Sequence, residues 1–468
     1  MSAYIPTIGL EVHAELKTRT KMFCDSKNDP NEMRPNVNVC PVCMAHPGTL
    51  PVINKEAVKH IVKIGRAVGG VIADFTEFDR KNYFYPDIPK GYQISQYEHP
   101  IVSVGSLNGV LLTRVHLEED TASSSHGTSD GSSLVDFNRA GIPLMELVTE
   151  PVIKSAKEAG DFARELQLLL RTLGVSGANM EKGEMRVEAN VSVAPDGKRG
   201  TKVEIKNLNS FKSVERAIEY EIARQSVALE KGERIVQETR GWDENTGKTF
   251  SQRLKETSQD YRYFPDPDLP KLWLSKIDDF QNITLPELPL QKRERYAKEY
   301  GIKSEDIEAY VTDKTLGSFF EAVTALLGND KTLAALASNY ITSDLVGMTK
   351  ISGNTLGAVS SESFAELIRM ARDGAVSSRG AKDILAVLFS AGGDPKQIAK
   401  EKGLFQQSDE DALKIVAQKI ISENQKVADE YKNGKESAVQ FLVGLGMKET
   451  KGAANPNVLK KIFTELLQ

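Results

Sequence analysis

A chain of 468 residues with 40% apolar and 27% charged side chains has ordinary globular composition, and length for roughly two to four domains. Its 60 Lys and Arg against 65 Asp and Glu leave a net charge of −5, which excludes a general nucleic-acid coat and confines any RNA contact to a local, shaped surface. No apolar run approaches the ~20 residues of a membrane helix and no basic-then-apolar leader follows Met1, so a soluble, unexported, cytoplasmic protein is expected.

The first element, Ile8–Leu16, reads I-G-L-E-V-H-A-E-L. Ile8, Leu10, Val12, Ala14 and Leu16 alternate with Glu11, His13 and Glu15, so a strand buries one face and lines up two carboxylates and an imidazole on the other. Such a row suits a bound cation or a solvated sheet face. The three cysteines follow. An odd number clustered near the N-terminus opposes a disulfide framework and fits a reducing cytosol. Cys40 and Cys43 form a C-x2-C knuckle with Cys24 upstream, a spacing for tetrahedral Zn²⁺; Ser26 stands where a second pair would place cysteine. Asp25, His46 or water would complete the shell, and free thiols packed under a loop are the other reading.

A helix is expected after Asn54 as cap, with Val58, Ile61, Val62 and Val68 inward and Gly69-Gly70 at its end. Phe78–His99 interleaves aromatics with Arg80, Lys81 and Lys90 around prolines, as a nucleotide or a splayed tRNA end would require, or as an aromatic mini-core under a loop. In Thr113–Asp120, Arg114, His116, Glu118 and Asp120 share a strand face, with Glu119 opposite unless a bulge intervenes. Ser123–Ser133, with His126, is Ser/Gly-rich and lacks a base–orienter pattern, so it reads as a linker or phosphate-side loop.

A second helix begins at Ser155, where Glu158 completes a capping box, and carries Phe162, Leu166, Leu169 and Leu173 inward; a third runs from about Ser210 to Gly232. Between them, Glu184–Val193 and Thr201–Asn207 repeat the alternating pattern, exposing Arg186, Glu188, Glu204 and Lys206. Gly247-Lys248-Thr249 imitates a phosphate loop, but its spacing to Gly241 is one residue too long; a hairpin turn at 244–247 fits better. Tyr261–Asp268 repeats the aromatic–Arg–Pro–Asp flavour and is expected to close the same basin. After Pro286 and Pro289 the chain reads as helix, with another boundary near residue 405 and a final helix begun by Asn455 and Pro456. Four strands bearing mixed acids and bases imply a charged basin in which carboxylates hold Mg²⁺ and Lys and Arg meet phosphate.

These motifs together resemble the GatB/GatE family, the B-type components of bacterial aspartyl/glutamyl-tRNA amidotransferases. The likeness rests on I-G-L-E-V-H-A-E-L-K-T at 8–18, F-D-R-K-N-Y-F-Y at 78–85, Y-Q-I-S-Q at 92–96, His116–Asp120, K-N-L-N-S at 206–210, Tyr261–Asp268 and the tail 433–456. The resemblance implies an α+β fold: a cradle domain (1–288) with a mainly antiparallel sheet of the glutamine synthetase/guanido kinase kind, an all-α domain (289–405) and a YqeY-like helical tail (406–468) that binds tRNA. It implies ATP-dependent phosphorylation of the Glu or Asp side chain on misacylated tRNA(Gln) or tRNA(Asn), followed by amidation. By the same likeness Mg²⁺ is held by Glu11, His13 and, by alignment, Glu119, and a structural Zn²⁺ by Cys24, Cys40 and Cys43. Asp120 and Glu188 are read as supporting acids, Arg80, Arg186 and Lys206 as ATP phosphate contacts, and Lys448 and Lys451 as tRNA contacts. No glutaminase signature is present in the sequence, so ammonia is expected from a partner. The resemblance supplies one in the family's glutaminase/amidase component, strapped by a further small protein into a heterotrimer. A stand-alone amide synthetase for small molecules and a non-catalytic tRNA adaptor are the competing readings.

Overall fold

The computed structural model describes residues 4–125, 132–195, 199–254, 261–353, 356–406, 410–432, 435, 437–450 and 454–467. The chain forms two compact units, Met1–Pro289 and Leu290–Gln468, dividing beside the proline-marked linker.

The alternating segments of the first unit build one large sheet. Its strands are β1 (Ile5–Glu15), β2 (Val71–Ile72), β3 (Val102–Ser103), β4 (Val110–Glu119), β5 (Pro143–Thr149), β6 (Met185–Ala194), β7 (Val203–Leu208), β8 (Glu238–Asp243) and β9 (Lys248–Leu254). They lie in the order β9-β8-β7-β6-β1-β5-β4-β3-β2, with Ser106–Leu107 pairing beside β4. Neighbours are antiparallel except β7 and β8. The first-motif strand is therefore central. β8 and β9 are joined by the expected hairpin, Gly247 taking the left-handed conformation at φ +63°, so the apparent phosphate loop is a turn.

One face of this sheet is apolar. Leu10, Val12 and Ala14 of β1, Met145 and Leu147 of β5, and Val115 and Leu117 of β4 share a core with three helices: α1 (Lys55–Ala67), α2 (Ala156–Thr172) and α3 (Phe211–Glu230). Each helix starts where its cap predicts. Asn54 accepts from the amides of Glu56 and Ala57, Ser155 from Glu158 and Ser210 from Ser213. The Glu158 carboxylate reaches back to the Lys154 amide, one residue earlier than a standard capping box.

The Phe78–His99 loop is more ordered than its sequence implies. Asp79–Asn82 pairs with Tyr92–Ser95 on one side and with Phe264–Pro265 on the other, so the two aromatic–basic motifs form one small sheet. Of the Ser/Gly-rich stretch, Ser123–Ser125 pairs with Leu134–Asp136, while His126 lies outside the described residues.

The second unit is helical. Tyr310 and Phe320 stack at 4.3 Å inside it, and Leu413, Ile420, Leu442, Leu459 and Phe463 form a separate core near the C-terminus. Asn455 caps the final helix, Pro456–Leu467, as expected. No described helix is long and apolar enough to cross a membrane.

Gly65 marks where α1 meets the sheet edge: a Cβ there would lie 2.5 Å from both Val102 Cγ2 and Ile72 Cδ1. Gly-to-Ala normally favours a helix by ~1 kcal/mol, but buried, stiff Val102 cannot yield. Gly65→Ala is expected to lower stability by about 1–3 kcal/mol through overpacking, read from the urea midpoint.

Candidate functional site

The polar face of the sheet carries the charged residues, and strand register decides which of them meet. Directly opposed residues point to the same side and sit about 5 Å apart. Arg186 of β6, His13 of β1, Glu146 of β5 and His116 of β4 thus form one row across four strands. In the next row Glu188 stands opposite Glu11, and Lys206 of β7 donates to Glu188 at 3.0 Å. His13 Nε2 lies 3.4 Å from Glu146, 3.7 Å from Glu118 and 3.8 Å from Glu11. His116 Nε2 is 3.5 Å from Glu146, and its Nδ1 accepts from Arg114 Nε at 3.3 Å. That acceptance assigns the ring proton to Nε2, facing Glu146, so His116 orients the carboxylate while His13 keeps the position of a ligand.

Charge balance explains how so many buried acids coexist. Burial pulls the His13 imidazole down, but its bond to Glu146 and the charges of Glu146, Glu118 and Glu11 carry it up to about 9. Glu146 is held ionised below the usual carboxylate range by the two imidazoles and Lys81, against its burial. Glu11 is pushed up to about 7 by burial and then by Glu146. His116 falls to about 4, chiefly through burial, and is neutral. The proton on His13 thus supplies the positive charge in the middle of the carboxylates. Donor atoms of Glu11, His13 and Glu146 lie within 4.8 Å of one another, a set of oxygens and one imidazole nitrogen able to surround a hard divalent cation that displaces this proton.

Two expected site residues are elsewhere. Glu119 does not join Glu11 and His13: β4 runs without a bulge there, so Glu118 faces the cluster and Glu119 the opposite side. The Glu119 carboxylate accepts from Lys90 at 2.7 Å and from the Ile94 amide at 2.9 Å, and lines a cavity of about 240 Å³ with Cys24, Cys43, Tyr92 and Asp268. The carboxylates beside His13 are thus those of Glu11, Glu146 and Glu118, not that of Glu119. Arg80 is likewise turned away, held by Asp266 at 2.8 Å and Asp268 at 2.9 Å over the Tyr92 ring. Its neighbour Lys81 alternates toward the cluster, lies over the Tyr261 ring at 5.2 Å, and is held charged by Glu118, Tyr263 and Glu146 against burial.

The remaining site residues sit around the cluster or apart from it. Arg186 donates to Asp120 at 2.8 Å, with Arg139 3.6 Å from the same carboxylate. Lys448 is exposed in the last turn of Ser437–Glu449; Lys451 lies outside the described residues. Sulfurs of Cys24, Cys40 and Cys43 lie within 4.8 Å of one another, a compact soft-ligand set. Glu146 escapes a reading of the sequence, where its one signal is a lone acid inside the apolar run P-L-M-E-L-V-T.

In metal-free protein the His13 imidazole is expected to titrate at about 9. Glu146→Gln should lower it, because burial is then opposed less. Histidine-ring NMR reads both values, and an unmoved titration refutes the pairing.

Residues 6–278 match the family model described as the GatB/GatE catalytic domain, and residues 318–467 match the one described as the GatB domain. Among curated relatives, the B component of the aspartyl/glutamyl-tRNA(Asn/Gln) amidotransferase of Thermomicrobium roseum is 46% identical over 98% of each chain. The proteins of the same name from Persephonella marina and Thermodesulfovibrio yellowstonii are 45% and 44% identical, each over 99% of both chains. With its N-terminal sheet unit and helical C-terminal unit each matched by a family model and full-length relatives above 40% identity, the chain belongs to the GatB/GatE family of amidotransferase subunits.

Proposed function

We propose that the basin on β1, β4, β5 and β6 transfers the γ-phosphoryl group of ATP to the side-chain carboxylate of Glu or Asp misacylated on tRNA(Gln) or tRNA(Asn), and that ammonia then replaces phosphate. The observation that carries this reading is the cross-strand cluster of Glu11, His13, Glu118 and Glu146, bordered by Lys81, Arg186 and Lys206. A carboxylate is a poor electrophile. Its oxygen attacks the γ-phosphorus as the bond to ADP breaks, giving an acyl phosphate. The ammonia lone pair then attacks the acyl carbon, the carbon–oxygen bond to phosphate breaks, and the nitrogen loses a proton to form the amide.

Phosphoryl transfer needs positioning and charge neutralisation rather than a covalent catalyst, and this basin offers both. Glu11, His13, Glu146 and Glu118 would hold Mg²⁺, which would supply positive charge to offset that of the phosphates. Lys81, Arg186 and Lys206 would face the phosphates, with Asp120 and Glu188 as the supporting acids that hold Arg186 and Lys206 in place. Tyr83, Tyr261 and Tyr263 would wall the basin beside Lys81. The sheet unit corresponds in this reading to a cradle of the glutamine synthetase/guanido kinase kind. Residues 289–405 form the helical domain and 406–468 a YqeY-like tail that meets tRNA, with Lys448 and Lys451 as contacts. The relatives are named as parts of a larger amidotransferase. In this reading the chain works in a heterotrimer, beside a glutaminase that releases ammonia and a small third protein that straps the two together.

Glu11→Gln is expected to cut ATP consumption dependent on misacylated tRNA by a factor of about 10² or more while tRNA affinity holds. The wild-type chain supplied with ammonium should amidate, yet release no glutamate from glutamine. Retained activity in Glu11→Gln, or glutaminase activity of the purified chain, would overturn the respective assignment.

Lys448→Glu should weaken tRNA binding and flatten its salt dependence by about one ion, leaving ATP affinity unchanged. Filter binding across a salt series reads this directly, and an identical slope removes Lys448 from the tRNA surface.

A further inference from the structure

Strand β7 breaks its own alternation. Val203 and Ile205 are buried, with Glu204 and Lys206 on the other side, so strict alternation would bury residue 207 and turn Leu208 outward. Instead Asn207 is exposed, and Leu208 sits in the core shared with the helices. Register gives the reason. Val187 of β6 lies opposite Leu208 and Ala189 opposite Ile205, so two steps along β6 correspond to three along β7. Lys206 and Asn207 together face the one residue Glu188, which is a β-bulge, and Asn207 takes the left-handed conformation at φ +64°.

The extra residue does not serve the hydrophobic pattern. Without Asn207 the strand would still carry Val203, Ile205 and Leu208 inward and Glu204 and Lys206 outward, with Ser210 following as the cap of α3. What a bulge adds is a bend, a stronger local twist and a re-aimed neighbouring side chain. A non-glycine residue at positive φ is the standing cost of that bend. The neighbour here is Lys206. Its ammonium lies 3.0 and 2.9 Å from the two Glu188 oxygens and 3.9 Å from Glu204, and Glu188 stands directly opposite Glu11. The bend therefore falls beside the one lysine of β7, at the margin of the basin.

We propose that Asn207 is a positioning residue: its left-handed bulge sets the Lys206 ammonium against Glu188 and so fixes where that charge is presented to phosphate in the basin. The placement of Lys206 stands on strand register; its meeting phosphate rests on the phosphoryl-transfer reading of the basin. Asparagine suits the position because its short polar side chain tolerates positive φ, whereas a β-branched side chain does not.

Two readouts on the full-length chain separate these. Acylation of lysines by a water-soluble N-hydroxysuccinimide ester, mapped by mass spectrometry with no nucleotide present, reports how firmly Lys206 is held. Asn207→Val should speed modification of Lys206 by about threefold or more, whereas Asn207→Gly, free to adopt positive φ, should leave it unchanged. In amidation assays with ammonium and misacylated tRNA, Asn207→Val should lower kcat/KM for ATP about tenfold, with Asn207→Gly within about twofold of wild type. Asn207→Val should add no further loss in a Lys206→Met chain. Deletion of Asn207 keeps both strand faces and gives the same comparison should Asn207→Val fail to fold. Equal Lys206 modification in wild type and both variants overturns the proposal, as do additive losses in Asn207→Val and Lys206→Met. Altered modification, with a kcat/KM for ATP that Lys206→Met leaves untouched, upholds the positioning and refutes the contact with phosphate instead.

Discussion

The alignment of His13 with Glu146 across β1 and β5 is the constraint on which the rest of the polar face depends. Buried carboxylates are tolerated only where a positive charge is within reach, and here one imidazolium serves three of them. Because side chains alternate with period two, a slip of one residue between these strands would send Glu146 into the apolar core and leave His13 unanswered. Register is held by that penalty from the polar side and by Leu10, Val12, Met145 and Leu147 packing from the other. The charged cluster thus rests on a rigid, fully packed layer, which is how a site keeps donor atoms in place before any ligand arrives.

The same alternation divides adjacent residues between two surroundings. Glu118 faces the His13 cluster while Glu119 pairs with Lys90 beside the cysteine cavity. Lys81 turns to the cluster while Arg80 locks the Tyr261–Asp268 segment through Asp266 and Asp268. Short runs of charge in the sequence, E-E-D and D-R-K, are therefore not single-purpose patches. Each supplies one group to the His13 face and one to the scaffold around the small sheet.

The two basins differ in the charge they are built to accept. Around His13 the donor atoms are oxygens and one imidazole, with lysine and arginine at the margin, a chemistry that suits a hard cation. Around Cys43 they are sulfurs, with the single buried ammonium of Lys21, a setting for a soft cation. Glu118 and Glu119 connect them along one strand, so the two basins share a wall without sharing ligands.

Much of this is legible in the sequence because local rules govern it. Caps at Asn54, Ser155 and Ser210 place three helices, alternation places β1, β4, β6 and β7, and the spacing around Gly247 distinguishes a turn from a phosphate loop. Glu11, His13, Arg186, Glu188 and Lys206 read as one face because each strand displays its own side chains. What sequence cannot state is which strands are neighbours and in what register, since those follow from long-range pairing and from the core beneath. That is why Glu146, on a strand with only one acid, goes unrecognised, while strand alternation already sets Glu118 rather than Glu119 on the charged face, against the alignment that picks Glu119, and Arg80 is grouped with Lys81 although the two point to different sides. Local pattern determined the faces; tertiary pairing decided which charges meet, because buried charge is stable only where the fold brings it an opposite partner.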